Sequence, residues 1–195
     1  MYLISDKKIR MFELLDKQIL SCTNCDLYKN GRAKPYWTPM SIFMMVGEAP
    51  GANEIEKNEP FVGKAGKILI DALEQCGLRK ELFGVINSVN CRPVTSSGSN
   101  GKPTQLQLDT CRKWIRKFSK ILEPEKVMTL GNYAMNTMGG AGAGITGKSG
   151  YVTNLYEPFY KTIIMYCIHP AYVIYNKKDG QKLLENSIKV FANLY

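Results

Sequence analysis

Apolar and polar positions along the chain change period repeatedly, and the changes divide it into alternating helices and strands. Ile9, Phe12, Leu15 and Ile19 recur at helical spacing and predict an amphipathic helix over 6–20, with Asp6 as its cap. After a loop over 26–40, the unbroken apolar run Ile42–Val46 is short and β-rich, as a buried strand over 42–47 should be. A second helix is expected over 65–76, with Ile68, Leu69, Ala72, Leu73 and Cys76 inward and Gly77 as its stop. Strands at 83–86, 126–130 and 162–168 alternate with helices at 104–122 (capped by Thr104), 132–138 and 179–194, and a β-rich portion comes after the glycine cluster at 139–144. Strands alternating with helices imply an α/β fold whose parallel sheet is covered on both faces. At 195 residues with 45% hydrophobic content, 1–195 reads as one domain with a sizeable core.

Composition adds a partner class. The formal charge is +9 and the pI near 9.2, with Lys and Arg dispersed. That balance favours a polyanion, nucleic acid before membrane surface, over a merely lysine-rich protein. No apolar run approaches the roughly 20 residues that cross a bilayer, and Met1–Lys7 lacks a signal peptide's apolar core. A cytosolic protein is expected, so the six cysteines do not read as a disulfide framework.

The chemistry gathers around one stretch. The first strand breaks into Gly47-Glu48-Ala49-Pro50-Gly51-Ala52-Asn53-Glu54, a Gly/Pro loop where an open α/β sheet places its ligand. Pro60-Phe61-Val62-Gly63-Lys64-Ala65-Gly66 comes next and opens a helix. Cys22 and Cys25 form a C-x2-C pair, Cys91 comes after a strand, and Cys111 lies on the next helix. Cys76 and Cys167 sit on apolar faces and read as small buried hydrophobes. Ligand number leaves zinc and an iron–sulfur cluster both open. Gly142–Ser149 matches the G-x-x-x-x-G-K-[ST] phosphate loop in full, but no strand delivers it and residues 150–154 after it are β-prone. The run and its overlapping G-x-G-x-x-G read as a connector instead. Ser96–Lys102 is a Ser/Gly loop.

Four blocks together resemble the family 4 uracil-DNA glycosylases: Gly47–Glu54, Pro60–Gly66, Asn87 with Cys91-Arg92-Pro93, and His169-Pro170-Ala171-Tyr172. The resemblance covers about residues 20 to 175. It implies a three-layer α/β/α fold with a central four-stranded parallel sheet, and hydrolytic release of flipped-out uracil from single- or double-stranded DNA. It implies a [4Fe–4S] cluster held by Cys22, Cys25, Cys91 and Cys111, DNA as partner, no membrane, and a monomer. Site roles are tied to the motifs. Glu48 orients water or faces the sugar cation, and His169 stabilises the leaving uracil. Glu54 assists through the loop or through His169. Phe61 stacks on the base and Asn87 reads its edge, while Gly47, Ala49 and Gly51 let backbone approach. Lys64, Lys148, Tyr172, Tyr175 and Lys177 contact DNA, with Tyr175 where the family often has Arg.

The Cys91–Cys111 spacing is longer than is common in the family, the excess being the Ser96–Gly101 loop, and Lys148-Ser149-Gly150 replaces an Arg-Gly. Gly51 is too small to exclude a thymine methyl by itself. With one histidine in the chain, covalent trapping on a second histidine is not expected. Altered DNA-facing residues point to an alternative, a replication-accessory DNA-binding protein of the same fold; the Glu48, Asn87 and His169 set points to the enzyme.

Overall fold

The computed structural model describes residues 4–140, 144–155 and 162–194. The first helix, α1 (Asp6–Leu20), is capped by Ser5 rather than Asp6: the Ser5 hydroxyl accepts from the Lys8 amide, and Asp6 becomes the acidic residue of the first turn. Then come β1 (Phe43–Gly47), α2 (Ala52–Lys57), α3 (Lys64–Gln75), β2 (Phe83–Asn87), α4 (Gln105–Leu122), β3 (Lys126–Leu130), α5 (Gly131–Thr137), α6 (Ile145–Lys148), β4 (Val152–Leu155), β5 (Thr162–Cys167), α7 (Ala171–Tyr175) and α8 (Lys177–Ala192).

The sheet order is β2-β1-β3-β5-β4. The first four strands in that order run parallel, as expected, and the β-prone stretch after the glycine cluster supplies β4, a fifth strand that adds an antiparallel edge to the expected four. Helices α1, α4 and α5 form one layer, and α3, α7 and α8 the other. Side chains alternate across the sheet, so Phe43 and Phe83 meet Phe191 of α8 on one face, while Phe12 of α1 packs on Phe118 of α4 across the other. Gly84 is small because α4 lies against it: an added Cβ would come within 2.8 Å of Leu122 and 2.9 Å of Phe118.

Chain direction reverses about β1. The connection through α3 leads to β2 on one side, and α4 then carries the chain back across β1 to β3 on the other. The carboxyl ends of β1 and β3 therefore diverge, and such a switch point opens a crevice for ligand. Gly142 and Ala143 of the phosphate-loop-like run lie outside the described residues. The rest of that run comes after α5 rather than a strand and enters the four-residue α6, so a phosphate loop's strand-to-helix geometry is not formed there.

Candidate active site

A cavity of about 350 Å³ opens at the carboxyl end of the sheet. Three loops supply its walls: the β1 exit, the end of β2, and the β5 exit. Ala49, Gly51, Glu54, Phe61, Lys64, Asn87, His169 and Tyr175 all line it.

The β1 and β2 exits are laid side by side by the parallel register, which pairs Gly47 with Asn87. A Cβ on Gly47 would lie 2.2 Å from the Asn87 Oδ1 and 3.2 Å from the Phe61 Cζ. Glycine thus makes room for the carboxamide and the aromatic ring to meet, although Gly47 itself does not line the cavity. Ser88 ties the exits together, its backbone N–H and its hydroxyl both donating to the Gly47 carbonyl at 2.8 and 2.9 Å. Phe61 is held at φ +60, a conformation costly for a bulky residue and characteristic of constrained sites. Its carbonyl lies where a Cβ on Gly66 would stand (1.9 Å), so the start of α3 sits flush against the strained residue.

Glu54 joins the two glycine-rich segments. Its Oε2 accepts from the Gly51 amide at 3.1 Å and its Oε1 from the Gly63 amide at 2.9 Å. Glu54 stands in the first turn of α2, a helix that the hydrophobic pattern does not announce.

His169 comes directly after β5 and Ile168. Its Nδ1 accepts from the Ala171 amide at 3.2 Å, so the neutral ring carries its proton on Nε2. Burial lowers its pKa to about 4, outweighing the opposing pull of Glu54. At neutral pH the ring is therefore an uncharged donor. Glu48 does not line the cavity. Burial raises its carboxyl above the ordinary range, with Lys102 drawing it partly back.

The DNA-facing group divides. Tyr175 is 84% exposed, and with the exposed Ile174 it forms part of the cavity mouth. Lys64 opens α3 at the same rim. Lys177 is exposed at the start of α8 but outside the cavity. Tyr172 packs against the core beside Gly180, and Lys148 ends α6; neither lines the cavity. One wall residue comes from an unsuspected place. Asn100 of the Ser/Gly loop lines the cavity, with its Nδ2 3.2 Å from where a Gly51 Cβ would stand. Arg92 fixes that loop through Nε to the Asn100 Oδ1 (2.7 Å) and NH2 to the Gly98 carbonyl (3.0 Å). The available signal was an arginine beside a cysteine, shortly before a loop rich in carbonyls.

Cys22, Cys25, Cys91 and Cys111 line a second, small cavity, together with Asn90 and Trp114. Burial pushes the Cys91 thiol up to about 12 and the Cys111 thiol to about 11. Arg32 braces the approach, NH1 donating to the Leu20 and Cys22 carbonyls at 2.6 and 2.7 Å, and its charge favours the Cys91 thiolate. Among the described residues, no group of three or more His, Cys, Asp or Glu side chains is close enough to hold a single metal ion. No described helix is long and apolar enough to cross a membrane.

The uracil DNA glycosylase superfamily profile matches residues 35–192. The chain is 32% identical over 193 residues to the type-4 uracil-DNA glycosylase of Sulfurisphaera tokodaii, covering 93% of this chain and 84% of that one. It is 30% identical to the enzyme of the same name from Saccharolobus solfataricus, covering 91% and 84%. The Archaeoglobus fulgidus protein of that name is 35% identical over 60% of this chain and 58% of its own. The chain belongs to the uracil DNA glycosylase superfamily, on the branch of the type-4 enzymes.

Proposed function

We propose that this protein hydrolyses the N-glycosidic bond of uracil flipped out of DNA, leaving an abasic site. The observation that carries the proposal is the meeting of Asn87, Phe61 and an Nε2-protonated His169 in one cavity. Flipping exposes the base to a pocket that can read its edge and stack on its face. The Asn87 carboxamide accepts from uracil N3–H and donates to O4, a pattern that cytosine reverses. The Phe61 ring stacks on the pyrimidine.

Breaking the C1′–N1 bond leaves electrons on the base, largely at O2, and positive charge on the sugar. The His169 Nε2–H donates to O2 as that charge develops. A neutral donor suits this task, because it gives no proton away and needs no titration near pH 7. One such preplaced donor is worth about 3 kcal/mol of barrier. The Glu48 carboxylate opposes the sugar's positive charge from beside the cavity and polarises the attacking water, which adds hydroxide to C1′ and releases one proton. Glu54 acts by position, holding Gly51 and Gly63 so that backbone can approach the base. Lys64 and Lys177 take phosphates, and Tyr175 enters the duplex where the base has left. Lys148 and Tyr172 serve the same DNA-facing side, Tyr172 by anchoring α7, the helix that carries Tyr175, to the core.

The four thiols fit a [4Fe–4S] cluster. They line one cavity and supply the four cysteine ligands that such a cluster takes. Held there, it would be architectural, joining the Cys22–Cys25 turn and α4 to the strand exit that carries Asn87. The protein works as a monomer. The test is abasic-site formation on single- and double-stranded oligonucleotides carrying uracil, hydroxymethyluracil, hypoxanthine or thymine. Cleavage at uracil is expected; no cleavage of any substrate would leave a DNA-binding protein without catalysis.

A further inference from the structure

Asn90 lies between the base-reading end of β2 and Cys91, and it is 3% exposed. Its Nδ2 is fully buried and has no hydrogen-bond partner among the described residues. A buried, unpaired amide costs about 1–3 kcal/mol, so native structures seldom keep one without a reason. The side chain lines the cavity of the four cysteines. Its backbone N–H already serves that cavity, donating to the Cys111 sulfur and easing its ionisation. Its carbonyl is engaged on the other side, accepting from the Ala33 amide at 3.0 Å, so the segment is pinned.

We propose that the Asn90 side-chain amide is a hydrogen-bond donor to a sulfur of the cluster held by Cys22, Cys25, Cys91 and Cys111, and that it tunes the cluster's redox potential and resistance to oxidation. This rests on the cluster reading above. The chemistry of the cavity sets the direction. Four thiolates and their cluster carry net negative charge, with Arg32 and Lys113 as nearby cations. The amide's nitrogen end, not its oxygen, is the end such sulfurs attract. Donors to cluster sulfurs favour the more reduced, more negative state and raise the potential. Asn90 is thus a positioning and tuning residue, three positions from Asn87 but outside the base pocket.

The test uses anaerobically purified full-length protein. Wild type is labelled with ¹⁵N at the asparagine side-chain amides, its cluster is made paramagnetic by chemical reduction or oxidation, and pulsed EPR is recorded. A ¹⁵N coupling that disappears in Asn90→Leu is expected. Asn90→Leu and Asn90→Asp, which keep the volume but lose the donor, should shift the potential negative and bleach several-fold faster in air. Asn90→Gln, which keeps an N–H donor, should recover part of both. Loaded variants with unchanged potential and bleaching, or a wild-type spectrum without amide coupling, would overturn the proposal. If a variant fails to load, the wild-type coupling decides alone. Wild type that holds no iron would instead sink the cluster reading, a distinct outcome.

Discussion

His169 is the chain's one histidine, so its protonation can be followed without assignment. With Nδ1 accepting from Ala171 and the pKa near 4, long-range ¹H–¹⁵N spectra should show a single Nε2–H tautomer unchanged from pH 8 to 5. Titration near the ordinary value of about 6.5 would show that the ring is not enclosed in the wall of the cavity. The same depression acts on stability. Between about 6.5 and 4 the unfolded chain takes up a proton that the native ring refuses, so His169 costs stability as pH falls through that window and adds nothing above it. Glu48 runs the other way. Burial raises its pKa and Lys102 lowers it, so the acid limb of the excision rate should lie above the ordinary carboxylate range. It should move higher still in Lys102→Ala, and an unmoved limb would remove Glu48 from the rate. Asn87 and His169 were legible because each ends a β-rich run beside a recognisable motif. Asn100 was not, since a Ser/Gly/Asn stretch reads as loop until Arg92 is seen to clasp it.

At the scale of elements, the start of α3 and the strained Phe61 form one piece. A methyl on Gly66 cannot coexist with the Phe61 carbonyl, so Gly66→Ala should displace the ring from the base. Excision is expected to fall about 100-fold or more, the scale of a misplaced active-site group, with the cluster's visible absorption retained; wild-type rates would show that stacking does not depend on that contact. Helix α7 makes a different prediction. Tyr175 is exposed at the cavity mouth, so Tyr175→Ala should slow excision from duplex DNA more than from single strands, where no stack must be opened. Equal loss on both substrates would assign Tyr175 to the pocket instead. Strong periodicity made the long helices and parallel strands readable. The six-residue α2 escaped because its Gly and Asn neighbours look like loop, whereas β4 was visible as a β-prone stretch but not as a fifth, antiparallel strand, because a short edge strand leaves no buried apolar run to fix its pairing.

For the whole molecule, the sheet's switch point puts the cavity where three strand exits meet, and the β2 exit also delivers Cys91 to the cavity that Cys22, Cys25 and Cys111 line. The cavity residue Asn87 and the cysteine Cys91 thus lie four residues apart on one strand exit, which composition could not reveal. The +9 charge predicts salt-sensitive binding. Lys64→Ala should lower the slope of log affinity against log salt by about 0.9 on duplex DNA if it holds one phosphate. The central claim is that this pocket recognises and expels uracil, and single-turnover uracil release by cluster-loaded wild type and Asn87→Ala tests it most directly. Wild type should release uracil and spare cytosine, while Asn87→Ala, with its brown chromophore intact, should be slowed at least about 100-fold, the loss of charge-assisted hydrogen bonds to the developing anion. Equal rates in the two proteins, or no release by wild type, would contradict the claim.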